Sequence, residues 1–166
     1  MPEQQSIVAD LVEGAIAGAI ATWLMGKVTT LMYEREDESA RAREDAARHG
    51  TTSYEVAAEK LAGAVERPLA KSERQRYGQV VHWGLGIGAG AAYAVLRNRA
   101  PRTALGRGLA FGAAFWLVMD EVLTPALGLT PGPRAFPWQT HARGLAGHLA
   151  LGATADATLS VMNDAM

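Results

Sequence analysis

The sequence predicts an all-α protein, a four-span transmembrane helical bundle with a polar helical insert between spans one and two. Three observations carry this expectation. Residues 77–96 form a 20-residue run without a formal charge, ended by Arg97 and Arg99. At 1.5 Å per residue such a helix crosses a hydrocarbon layer of roughly 30 Å. The 18 glycines fall mainly inside apolar stretches, and membrane helices carry more Gly than soluble ones. Trp23, Tyr33, Tyr77, Trp83, Trp116 and Trp138 lie mostly near the ends of those stretches, as an interfacial aromatic belt requires. A soluble, Gly-tolerant four-helix bundle is the alternative, because short apolar runs are ambiguous.

Composition narrows the function classes. The 166 residues suffice for one domain, 1–166, with one core. A net charge of -1 with 20% charged residues supplies no basic face for displacing counterions from nucleic acid. Cys is 0, which removes disulfides, thiolate metal sites and cysteine nucleophiles together. The first residues hold no Lys or Arg, and no small-residue cleavage site follows the first apolar stretch, so no cleaved signal peptide is expected.

The four spans are expected at about 7–33, 77–96, 108–127 and 141–162. Span one contains Asp10, Glu13 and Lys27, span three contains Asp120 and Glu121, and span four contains Arg143, His148 and Asp156. Small residues recur at close-packing intervals in Gly14 and Gly18, Gly84 and Gly88, Gly108 and Gly112, and Gly144 with His148 and Gly152. Such faces let backbones approach where lipid supplies no hydrophobic drive between helices. For span two, the glycine face predicted to pack is that of Gly84 and Gly88.

The polar insert, 34–76, divides in two. Residues 34–48 contain no Gly or Pro and set Asp37 four before Arg41 and Glu44 four before Arg48, which are helix-supporting pairs. The first helix is therefore expected to run unbroken to about Arg48, with His49 as a cap before Gly50. Thr52 and Glu55 form a capping-box pattern, and Tyr54, Ala58, Leu61 and Val65 fall on one face of a short amphipathic helix ending before Pro68. A rigid connector with Pro125, Pro131, Pro133 and Pro137 joins spans three and four.

Several of these residues carry a family resemblance. His82, Gly84, Tyr93, Gly106, Gly112, Pro125, Gly128-Leu129-Thr130-Pro131, Pro137-Trp138 and Gly147-His148 occur in that order. Over roughly 77–158 the chain resembles the YagU-like family of bacterial inner-membrane proteins, whose biochemical function is unknown. The resemblance implies a multi-pass protein of the bacterial inner membrane and lends no catalytic residue. The Asp120-Glu121 pair is not part of it.

Antiparallel spans place Lys27, His82, Glu121 and His148 about 8 to 10 Å from the span ends, all on the side of the insert. Intramembrane ionisable groups are costly, so their coincidence in depth marks a candidate site. Three readings compete. The histidines and Lys27 can act as interhelical glue, pairing with each other and the acids. His82, Asp120, Glu121 and His148 can instead bind a cation, a proton or a divalent metal such as zinc. Haem b held by His82 with His141 or His148 is the third, and a membrane enzyme or redox subunit built on the same histidines, through metal or haem b, is the alternative to a non-enzymatic cation site. Neighbouring helix positions lie about 100° apart, so one of Asp120 and Glu121 should join the histidines. The other should find Lys27, a neighbouring subunit or the interface. Asp156 and Glu13 face the opposite side, near the arginines of the 97–107 loop. No enzyme constellation stands out, because Ser53, Ser72 and Ser160 lack a His and acid at matching depth. The partners expected are the lipid bilayer and a second copy of the chain or other membrane subunits.

Overall fold

The computed structural model describes residues 6–100 and 106–164, and among these every regular element is helical. Helix α1 spans Ile7–Glu34, α2 Glu38–Arg48, α3 Ser53–Gly63 and α4 Lys71–Arg99. A third long helix, α5, runs over Leu109–Ala126, and after a short 3-10 turn at Pro133–Ala135, α6 covers Trp138–Asp164. Helix α1 packs on both α4 and α6, α5 lies along α6, and α3 lies against α4.

Glycine and alanine make these contacts. A Cβ on Gly18 would stand 2.6 Å from the Gly86 carbonyl, and one on Gly14 would stand 2.6 Å from the Gly90 carbonyl. The α1–α4 seam is thus backbone against backbone, and it buries Ala17, Ala21, Ala89 and Ala94. Gly108, at φ 82, meets the Gly152 carbonyl, while Gly112 meets that of His148, so the α5–α6 seam is equally close. Leu151, Leu159 and Met25 join the buried core, but many of the large aliphatic side chains lie outside. Ile16, Ile20, Trp23, Val80, Leu117 and Val122 are all exposed. A soluble bundle places its large residues inward, so this distribution is the reverse of a water-facing one.

The sequence-based outline needs four corrections. Among the described residues only α1 and α5 are long and apolar enough to cross a membrane. Helices α4 and α6 have the length, 29 and 27 residues, but Gly, Gln, His, Thr and charged residues lower their hydropathy. The first helix is broken: it ends at Glu34, Arg35 caps it with bonds to the Met32 and Tyr33 carbonyls, and Asp37 opens α2 in an extended conformation. No local stop signal marks that break, and its cause is tertiary, since Glu36 turns back to Arg143 of α6. The packed glycines of α4 are Gly86 and Gly90, whereas Gly84 and Gly88 meet nothing within 4 Å. Two positions turn a helix by about 200°, which carries Gly84 and Gly88 to the outer side. Finally, α3 ends at Gly63, before Val65, and while Tyr54 and Ala58 face the protein, Leu61 and Val65 are exposed.

Other local expectations are met. Thr52 Oγ1 accepts from the Glu55 N–H at 3.2 Å and Glu55 Oε2 accepts from the Thr52 N–H at 2.7 Å, completing the capping box. His49 caps α2 in the left-handed region at φ 49. Arg48 pairs with Glu44 at 2.7 Å.

At the end of the bundle where α4 stops, Asp156 accepts from the Tyr93 hydroxyl at 2.7 Å and pairs with Arg97 at 3.0 Å. Asp10, fully buried, accepts from Asn98 at 2.6 Å and pairs with Arg99. Asp156 was expected near these arginines, and Asp10 joins it. Arg102 lies outside the described residues. Tyr93→Phe removes one donor from a buried carboxylate that keeps Arg97, so it is expected to lower stability by about 1 to 2 kcal/mol. Equilibrium unfolding of the detergent-solubilised protein measures this.

Candidate functional site

The site grows from an irregularity in α5. Residues Leu117–Leu123 are wound as a π-helix, followed by Thr124 and Pro125. Pro125 has no N–H to continue the ordinary ladder, and the Thr124 hydroxyl donates to the Asp120 carbonyl at 2.8 Å. A π-turn has more than four residues per turn and is frequent at functional positions. Here it aims two adjacent carboxylates at one neighbouring helix.

Asp120 Oδ2 lies 3.6 Å from His148 Nδ1, and Glu121 Oε1 lies 2.6 Å from His141 Nδ1. His141 and His148 stand seven positions apart on α6, two turns along the same face. The result is two acid–histidine pairs side by side. His148 is buried, and its Nδ1 also lies 2.9 Å from the Gly144 carbonyl of its own helix.

Two cavities meet at these pairs. One, about 60 Å³, is lined by His82, His148, Asp120, Tyr54 and Thr22 among mostly apolar neighbours. The other, about 140 Å³, is lined by Glu121, His141, Asp120, Tyr54, Arg48 and Thr130. Asp120 and Tyr54 belong to both walls. The Tyr54 ring lies 4.7 Å from that of His82, and burial, with Asp120 adding to it, pushes its phenol up to about 12. Tyr54 therefore stays neutral. The α3 backbone is held over the cavity by Lys60 Nζ, which donates to the Leu127 carbonyl at 2.6 Å.

Of the residues expected in one cluster, the structure brings together His82, Asp120 and His148. It sets Glu121 apart with His141. Lys27 stands outside altogether: it is exposed and lies over the Trp23 ring at 5.8 Å. Among the described residues no group of three or more His, Asp or Glu side chains could hold a metal ion. The proposed set of His82, Asp120, Glu121 and His148 is divided between two cavities. Haem fits no better, because the cavity shared by His82 and His148 is about 60 Å³, whereas pockets for organic ligands run from about 300 Å³ upward. His141, the other haem candidate, is engaged with Glu121.

One group of functional neighbours was missed at the sequence level. Arg143 of α6 is buried and pairs with Glu36, with Glu44 at 2.7 Å, and stacks over Tyr33 at 5.0 Å. Glu44 also takes Arg48 at 2.8 Å and the Thr140 hydroxyl at 2.9 Å. Burial alone would raise the Glu44 carboxyl, but the Arg143, Arg48 and Thr140 contacts outweigh it and hold the group below its ordinary value. This network fastens the insert to α6 beside the second cavity. The available signal was an arginine two positions from His141 inside an apolar segment, whose cost demands a partner.

Fold and site together define a small all-helical protein with many large apolar side chains on its outer surface and acid–histidine pairs turned inward. The chain belongs to the family described as protein of unknown function (DUF1440), whose model matches residues 63–157. Both acid–histidine pairs and His82 fall inside the matched segment. No curated protein matches the chain, and no solved structure does.

Proposed function

We propose that this protein is a multi-pass protein of the bacterial inner membrane, with α1, α4, α5 and α6 all crossing the bilayer and a polar site within it that binds a small cation. One observation carries the reading. Helix α5 is apolar enough to span a membrane and only 6% of that stretch is buried, yet Asp120 and Glu121 on the same helix turn inward to α6. The core helix of a soluble protein would be buried on most sides, and its acids would face water. Bilayer lipid is the environment in which exposed leucine and valine cost nothing and inward carboxylates need partners. On this reading α4 and α6 tolerate more polar residues because helices surround them. The resemblance to the YagU-like family supports the inner membrane, and the open Gly84–Gly88 face of α4 is the contact proposed for a second copy.

The absence of cysteine makes the placement testable. Single cysteines replacing Ser39 in α2 and Arg134 in the connector should react with an impermeant thiol reagent from one side of sealed vesicles, and Asp164→Cys from the other. Extraction of the chain by alkaline carbonate, or labelling of all three from one side, would overturn the four-span reading. Cation binding is read separately as thermal stabilisation by protons, Na⁺, K⁺ or Zn²⁺. A saturating ligand at a hundredfold its Kd adds about 2.7 kcal/mol, and that gain should vanish in Asp120→Asn.

A further inference from the structure

The two nitrogens of His141 are both committed. Nε2 lies 3.0 Å from the Pro133 carbonyl oxygen, which can only accept, so Nε2 carries hydrogen and donates. In a neutral ring Nδ1 would then be bare. It lies 2.6 Å from Glu121 Oε1, and an unprotonated carboxylate and a bare imidazole nitrogen are both acceptors. At that separation the contact is attractive only with a proton between them. The pair therefore holds one exchangeable proton, either on Nδ1 as imidazolium beside carboxylate or on the Glu121 carboxyl.

His148 is set the other way round. Its Nδ1 lies 2.9 Å from the Gly144 carbonyl, so Nδ1–H donates and Nε2 is the basic nitrogen. Asp120, next in sequence to Glu121, lines the cavity of His148 and His82 as well as that of Glu121 and His141. The route ends there. Below His148 the interior is closed by Leu151, Ala155 and Ala21, and Thr22 fills the space beside Gly86 with its hydroxyl donating to the Gly18 carbonyl.

We propose that the Glu121–His141 pair is a proton-binding site reached from the side of the insert, and that Asp120 relays its proton to His148 and His82 in a half-channel closed toward the opposite side. The inference rests on the intramembrane cation site proposed above and names its cation. Each transfer is balanced. The pair gives up its proton through water in the second cavity to the Asp120 carboxylate, which passes it through water in the first cavity to His148 Nε2, since Asp120 Oδ2 itself faces the hydrogen-bearing Nδ1 at 3.6 Å, and the pair is refilled from solvent. The imidazolium so formed faces the Asp120 carboxylate. The charged and titratable groups around the relay are Arg48 from α2, Tyr54 from α3 and His82 from α4. Arg48 is held by Glu44, and Tyr54 stays neutral.

The chain has 4 histidines, so nitrogen NMR of full-length, histidine-labelled protein in lipid nanodiscs resolves each ring. At neutral pH the His141 ring, assigned by its loss in His141→Ala, should carry hydrogen on Nε2 and a strongly shared, far-downfield proton at Nδ1. Glu121→Gln should abolish that resonance and shift the titration midpoint of His148, because coupled sites titrate together. An ordinary solvent-like titration of His141 in the wild type, with both tautomers present, would overturn the proposal without any variant. Adding Na⁺, K⁺ or Zn²⁺ at fixed pH separates the two readings. If His82 and His148 respond to a metal ion and not to pH, the cation site stands and the proton assignment falls. If neither pH nor any cation moves them, both fall.

Discussion

Replacing Arg143 by Met is expected to destabilise the folded protein by about 3 to 5 kcal/mol, the cost of leaving partners of a buried ion pair uncompensated. Two carboxylates are affected. Glu44 is 2% exposed and takes both Arg143 and Arg48, and Glu36 pairs with Arg143 at a site closed on most sides. Arg48 remains in the variant, so Glu44 keeps one partner and Glu36 loses its guanidinium. The insert should then detach before the long helices separate. Proteolysis within α2 accelerates under that expectation, and unfolding of the whole chain shifts to lower denaturant. Equal proteolysis of wild type and variant would show that α2 is held by other contacts.

The same network sets a pH dependence. The folded Glu44 carboxyl titrates below its unfolded value. Its contribution to stability is therefore fully present above the unfolded value and is lost as pH falls through the folded one. Wild type should release α2 under acid conditions, whereas Glu44→Gln should be weaker at neutral pH and flatter across the acid range. Proteolysis as a function of pH measures both.

Gly90→Leu is expected to have the other large effect. A side chain there would enter the backbone of Gly14 and Gly18 on α1, and a helix backbone cannot yield as a flexible side chain can. A loss of at least about 3 kcal/mol follows, at the upper end of overpacking costs, with aggregated or misassembled protein on size exclusion. Gly88→Leu, two residues away, points into open space and should leave the fold within about 0.5 kcal/mol of wild type. A changed oligomer size in Gly88→Leu with an unchanged melting profile would place a second copy on that face. Similar stability losses in the two variants would mean that Gly88 also faces a packed neighbour.

The contrast between those two glycines shows where sequence reading stops. Gly84, Gly86, Gly88 and Gly90 alternate, so two opposite faces of α4 carry the same residue and composition is silent about which one packs. On α1 the pattern was unambiguous, since Gly14 and Gly18 have no competing pair, and they do form the seam. Gly108, Gly112 and Gly152 were legible for the same reason. Caps were equally plain: the Thr52–Glu55 box and the His49 terminus depend on atoms three or four residues apart. The common depth expected for Lys27, His82, Glu121 and His148 comes from counting residues along helices, because 1.5 Å per residue is a property of the backbone alone; of these, the structure sets His82 and His148 on one cavity.

Phase around the helix axis is different, because it answers to neighbours. Residues 34–48 hold no stop signal, yet the chain breaks there so that Glu36 and Glu44 can both reach Arg143. A regular helix separates Asp120 from Glu121 by about 100°, and sequence reasoning accordingly sent one of them elsewhere. The π-helical winding lets each carboxylate meet a histidine of α6, and it arises where Pro125 withholds a donor and α6 offers two rings on one face. Lys27 is exposed and lies over Trp23, away from both cavities. What this sequence determined by itself was therefore local and axial: helices, caps, close-packing seams and the depth of each polar group. Only the packed structure decided azimuth, pairing and the division into two cavities, since those depend on contacts between residues some 20 to 110 positions apart in the chain.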